Sequence, residues 1–201
     1  KRAYEIEPGN ELMWTDYEML LITVGRDEEA LNMHKRWLEK QETGQSISIH
    51  TGFTGIYYLW TGRFEEALAE LKKRKSSTSE IFVFYIQLAV AYAMNHMYSE
   101  ALSRIDKIKR LPGAQDDVDY RTNYAWILAV SGRRQESLEQ LEKLKSNFIQ
   151  RNMDPAYFTA CVYSGLGDKD RAFEYLDMAY ENHSTLMVNL ISDWWLRSLH
   201  G

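Results

Sequence analysis

The residues able to do acid–base, nucleophilic or metal chemistry are few. They are His34, His50, His96, His183 and His200, the single Cys161, and the paired acids Glu28-Glu29, Glu65-Glu66 and Asp116-Asp117. A protein zinc site needs three or four N, S or O ligands at short recurring spacings. None of these histidines has a histidine or cysteine partner at such a spacing. Glycine-rich phosphate loops and nucleophile elbows are absent, as is any Cys/His pair close in sequence. The paired acids fall at expected helix starts or in a polar connection. There they offset the positive end of a helix more naturally than they trade protons with a substrate. Cys161 sits beside Ala160 on an apolar stretch and reads as a packing residue. As the only cysteine it leaves no internal disulfide. The sequence therefore predicts no enzyme, no cofactor and no metal site, and function is expected in binding.

The whole chain narrows the partners. Its 201 residues are 45% hydrophobic, too apolar for a disordered segment. The formal net charge of −5 opposes a phosphate backbone, so no direct nucleic-acid binding is expected. The one basic run, Lys72-Lys73-Arg74-Lys75, falls at an expected helix C-terminus, where cations complement the dipole. The longest apolar stretch, Ile81 to Met94, has 14 residues and is interrupted by Gln87, too short to span a bilayer. Lys1-Arg2 is followed by acidic and polar residues and not by a signal-peptide core. The expected compartment is the cytoplasm, or the periplasm if a parent chain carries a transmembrane segment.

The elements that must carry a binding surface repeat. A residue, then alanine or serine twelve positions on, recurs as Glu18/Ala30, Gly55/Ala67, Ala89/Ala101, Ala125/Ser137 and Ala160/Ala172. Five positions before each second member stands Gly25, Gly62, His96, Gly132 or Gly167, at an expected helix–helix turn. The second members are 37, 34, 36 and 35 residues apart, the period of a stacked helical-hairpin array. Helical apolar spacing and turn signals place pairs at about 11–24 with 27–41, 48–61 with 64–76, 80–95 with 98–110, 117–131 with 134–149, and 154–166 with 169–182. A longer hinge covers 111–118. Small residues at the crossing let helix axes approach. Tyr58, Tyr92 and Tyr163 fill the space beside them. Glu18 breaks the rule, which predicts a looser first hairpin, and His96 replaces the turn glycine at a cost in strain.

Trp14-x-x-Tyr17, Gly55-x-x-Tyr58, Leu88-Ala89-x-x-Tyr92 and the five Ala/Ser anchors resemble tetratricopeptide repeats over nearly the entire chain. The resemblance implies an all-α, right-handed superhelical solenoid of stacked antiparallel helix pairs. Residues 1–10 are expected to end a preceding repeat's second helix, with Ala3 packing and Pro8 as the stop, which implies a repeat upstream in a larger parent. Five repeats follow over 11–186 (about 11–44, 48–81, 82–115, 118–151 and 153–186), then a C-terminal capping helix over 187–201. Its apolar face would be Met187, Leu190, Ile191, Trp194, Trp195 and Leu199. Pro155, Gly167-Asp168-Lys169-Asp170, Ala172-Phe173, Ala179-Tyr180 and Asp193…Leu196-Arg197 resemble the closing repeat appended to bacterial winged-helix activators, nucleotide cyclases and protein kinases.

In such superhelices the first helix of each hairpin lines the concave face. That facing assigns the groove to Met19, Ile22, Ile56, Trp60, Ile86, Val90, Met94, Trp126, Val130 and Tyr157, with Asn123 as the lone polar member. Relatives that clamp a C-terminal carboxylate place lysine, arginine and asparagine at such sites, so this apolar lining argues against a carboxylate clamp. The implied partners are a protein or peptide with apolar anchors, a small apolar molecule, or a second copy of the chain. The implied function is a non-catalytic interaction or sensing segment of a larger bacterial regulatory or signalling protein. The alternative is a stand-alone scaffold for assembling a complex.

Overall fold

The computed structural model describes residues 11–41, 54–73, 81–150 and 154–200. The half-hairpin expected over 1–10 lies outside them, as do parts of the connections near 42–53, 74–80 and 151–153. Ten α-helices form five consecutive hairpins among the described residues. They are α1 (Glu11–Thr23) with α2 (Asp27–Gln41), α3 (Thr54–Trp60) with α4 (Phe64–Lys73), α5 (Ile81–Met94) with α6 (Tyr98–Lys109), α7 (Val118–Val130) with α8 (Arg134–Gln150), and α9 (Ala156–Gly165) with α10 (Lys169–Glu181). Helix α7 packs on α8 within its hairpin and also on α5 and α9, so the later first helices form one continuous inner layer. The fold is an all-α solenoid of stacked helix pairs. No described helix is long and apolar enough to cross a membrane.

The spacing of small residues explains the hairpins. The second members Ala30, Ala67, Ala101, Ser137 and Ala172 are all fully buried at the helix crossings. Ser137 keeps the rule despite its hydroxyl, which donates to the Ala125 carbonyl of the facing helix at 2.8 Å. Tyr92 and Tyr163 are buried beside the crossings, whereas Tyr58 is half-buried with the Arg63 guanidinium over its ring at 5.1 Å. Each second helix starts with acids near its positive end, as in Asp27, Glu28 and Glu29 of α2. The 111–118 hinge contains a 3-10 turn, Ala114–Asp116, before Asp117 caps α7 by accepting from the Tyr120 amide at 2.9 Å.

The hairpin turns need a left-handed residue. Gly25, Gly62, Gly132 and Gly167 adopt φ between +71° and +80°, and His96 adopts φ +59° at the same place. For a residue with a Cβ this conformation costs roughly 1–2 kcal/mol. A glycine there gives back roughly 0.5–1 kcal/mol through the entropy of the unfolded chain. The His96 ring also contacts the Tyr98 hydroxyl at 2.9 Å, but on an exposed surface. His96→Gly is therefore expected to stabilise the array by about 0.5–1 kcal/mol, read as a higher urea midpoint.

Two expectations are corrected. Glu18 does not loosen the first hairpin. It is 1% exposed and accepts a hydrogen bond from the Tyr57 hydroxyl, while its Oε2 lies 3.6 Å from His34 Nδ1. His34 is equally buried, stacks near the Tyr57 ring with centroids 4.3 Å apart, and reaches Thr54 Oγ1 at 2.9 Å. The acid thus pins hairpin one to hairpin two. The second correction concerns the C-terminus. Residues 187–199 do not make one α-helix. They form two 3-10 segments, Thr185–Asn189 and Trp194–Leu199, separated by a turn. The Asp193 side chain restarts the second by accepting from the Trp195 amide at 3.0 Å.

Candidate functional site

The terminal 3-10 segment returns along the inner layer of first helices. Its side chains meet three separate hairpins. Tyr157 Oη of α9 donates to Asp193 Oδ2 at 2.8 Å, and Trp195 Nε1 donates to Asn123 Oδ1 of α7 at 3.1 Å. The Arg197 guanidinium donates through Nη2 to the Trp60 carbonyl at the end of α3, 137 residues away in sequence. That carbonyl belongs to a helix C-terminus, whose unpaired oxygens and negative dipole end suit a cation. Ser198 Oγ bonds Ser164 Oγ at 2.7 Å. Trp195 and Leu196 are buried, at 8% and 1% exposure.

Beside this segment an apolar cavity of about 460 Å³ remains open. Met94, Trp126 and Val130 form its wall with Phe64, Ala93, His96 and Tyr98. Ser164 and Gly165 at the end of α9 and Gly167 in the turn after it also line it, as do Trp194, Trp195, Arg197 and Ser198. The close seat of α7 on α9 depends on Gly165, where a Cβ would lie 2.8 Å from Trp126 Cδ1. Among the described residues no carboxylate lines this cavity, although the chain carries 29 acidic residues.

The groove residues read from the sequence divide into four groups. Met94, Trp126 and Val130 line the cavity. Trp60, Asn123 and Tyr157 instead hold the terminal segment, Trp60 through its backbone. Ile22 and Val90 are fully buried and Ile86 is 8% exposed, so these three are core residues. Neighbouring side chains cover them, so they do not face a ligand. Met19 and Ile56 are half-buried and do not line the cavity. Sequence reading missed Phe64, Tyr98 and the terminal segment's part in the wall. Phe64 and Tyr98 each open a second helix, where facing by repeat position gives no signal. Among the described residues no group of three or more His, Cys, Asp and Glu is placed to hold a metal ion.

Burial gives this contact a pH dependence. Desolvation pushes the Asp193 carboxyl up to about 6 from 3.8, against the opposing hydrogen bonds from the Trp195 amide and Tyr157. Tyr157 and Cys161 of α9 are the titratable groups interacting with it. Both are held protonated, first by burial and then by the Asp193 charge. A carboxyl whose folded pKa is raised favours the docked state when protonated. That stability is fully present below about pH 4 and lost as pH rises through about 6. The full swing is on the order of 2–3 kcal/mol. Thermal melts of the wild type should therefore fall between pH 4.5 and 7 in excess of an Asp193→Asn variant. Parallel melting curves would contradict the assignment.

No protein-family model matches the chain. In sequence it is 26% identical over 142 residues to the signal recognition particle subunit SRP72 of Dictyostelium discoideum, covering 70% of this chain and 20% of that protein. The chain thus spans about a fifth of that relative's length. In structure it resembles Bacillus thuringiensis PlcR, crystallised in complex with the peptide PapR7 and DNA. The TM-score is 0.58 at 17% identity, over 88% of this chain and 72% of that one. YrrB, described as a TPR protein with an unusual peptide-binding site, aligns at a TM-score of 0.46 with 19% identity over 94% of each chain, too slight to bear on the fold. The helical-hairpin period and the stacked helix pairs make the fold a tetratricopeptide-type solenoid.

Proposed function

We propose that this array is a non-catalytic interaction segment that binds a protein or peptide along its concave face, within a larger regulatory protein. The observation that carries the reading is the inner layer itself. It holds a short 3-10 stretch of chain through side-chain and carbonyl hooks on α3, α7 and α9, and leaves an apolar cavity beside it. Hooks that hold one short segment are the kind of surface that recognises others. PlcR, whose fold is similar, is a protein seen with a peptide bound. A cavity of about 460 Å³ also has the size of a small-molecule site, which favours an apolar ligand as the second reading. The match to a signal recognition particle subunit favours the assembly-scaffold form of the first.

The test is selection of peptides from a displayed library on the intact chain. Binding is then measured to the wild type, to Val130→Arg in the cavity wall, and to Phe173→Arg on exposed α10. The expected result is equal affinity for wild type and Phe173→Arg and at least a tenfold loss on Val130→Arg. Equal binding by all three folded proteins would overturn the concave assignment. Failure to select any peptide, with saturable binding of small apolar compounds, would move the reading to the sensor.

A further inference from the structure

The groove on the concave face already has an occupant. We infer that the stretch Asp193–Ser198 sits there as a displaceable in-cis ligand, and that the external partner is a protein segment of the same chemistry: a carboxyl group, an indole two residues later, then leucine, then arginine. This inference rests on the groove reading of the preceding subsection.

Each element of that code has its own receptor. The Tyr157 hydroxyl donates to the carboxyl group at 2.8 Å, and Asn123 Oδ1 accepts from the indole N–H at 3.1 Å. Asn123 is fixed for this, because its Nδ2 donates to the Asp119 carbonyl one turn back at 2.8 Å, which aims the oxygen at the segment. The Trp60 carbonyl, at a helix C-terminus, takes the guanidinium. Leu196 supplies the buried apolar anchor between them. Side chains of two hairpins and a backbone carbonyl of a third set this register, as in peptide recognition by grooves.

Three features make the occupant displaceable. It joins α10 through a tether whose Val188 and Ile191 are exposed, at 63% and 54%. It forms 3-10 turns over Trp194–Leu199, and over Thr185–Asn189 before it, and no α-helix. It also leaves the neighbouring cavity unfilled, with the Trp126 indole N–H in that wall buried and without a hydrogen-bond partner among the described residues. A tethered segment competes at an effective concentration of roughly millimolar. A partner that repeats the code and also fills the cavity wins by contacts the in-cis segment does not make.

The probe is a fluorescein-labelled peptide of residues 191–201, Ile-Ser-Asp-Trp-Trp-Leu-Arg-Ser-Leu-His-Gly, titrated by anisotropy. The receptors are the full wild-type chain and the full chain carrying Trp195→Ala and Arg197→Ala, which weakens the in-cis copy. Circular dichroism shows that the helices persist, and Arg197→Ala alone replaces the double variant if they do not. The expected result is at least tenfold tighter binding to the weakened chain than to wild type. A peptide carrying the same two substitutions should not bind. Equal or absent binding of the native peptide to the folded variant would overturn the inference. If library-selected peptides still bind at Val130 in that case, only the in-cis code falls. If no peptide binds anywhere, the groove reading falls with it.

Discussion

Glu18→Ala is expected to destabilise the N-terminal part of the array by about 3 kcal/mol, a large share of a marginal total. Glu18 is 1% exposed and is the acceptor for the Tyr57 hydroxyl, itself fully buried. Burial, with the Glu18 charge second, raises the Tyr57 pKa, so that phenol stays a donor throughout the neutral range. Removing the carboxylate leaves a buried hydroxyl without its acceptor and His34 Nδ1 without the charge 3.6 Å away. Breaking one side of such a buried contact costs its desolvation as well as its bond. Glu18→Gln keeps an acceptor and should cost markedly less. The discriminating measurement is a double-mutant cycle with Tyr57→Phe in urea. Tyr57→Phe should cost less in the Glu18→Ala background than in wild type, giving a coupling above 1 kcal/mol. Additive effects would show that the two side chains do not act as a pair.

Gly55→Leu should cost about 3 kcal/mol, at the upper end for overpacking a core. A Cβ on Gly55 would lie 2.6 Å from Leu71 Cγ and 2.7 Å from its Cδ2. Leu71 is 1% exposed and packs in the main core with Ala67 and Ala101. It has no surface to retreat to. Gly55→Ala makes the graded control. Its helix-propensity gain of about 1 kcal/mol offsets most of the strain that one methyl imposes. Equilibrium urea unfolding of the two variants should therefore separate by roughly 2 kcal/mol. Equal stabilities would mean that α3 and α4 adjust freely at their crossing.

The hairpins were legible because small residues and turn glycines carry their own physical signatures. Ala30, Ala101 and Ala172 are small where axes cross, and Gly25 and Gly132 stand where φ is positive. His96 was legible too, as a residue out of place that pays the expected strain. Glu18 was not. A lone acid in an apolar register reads as a defect until Tyr57, 39 residues on, and His34 are brought beside it. The terminal segment was misread for a related reason. Met187, Leu190, Ile191, Trp194 and Trp195 have helical spacing, but Asp193 caps the Trp195 amide and restarts the chain as 3-10. Its partners Asn123 and Trp60 lie far back in sequence, where no local pattern points to them. The groove list failed at Ile22 and Val90 because repeat position gives a direction, whereas burial depends on how closely neighbouring hairpins stack.

The concave face as the binding surface is tested most directly by photo-crosslinking. A library-selected peptide carrying a benzophenone is bound to the intact chain and irradiated, and the attached residues are read by mass spectrometry. The account predicts crosslinks at Met94, Trp126 and Val130 around the cavity. Crosslinks gathered instead on Phe173, Met178 and Tyr180, the exposed side chains of α10, would contradict it.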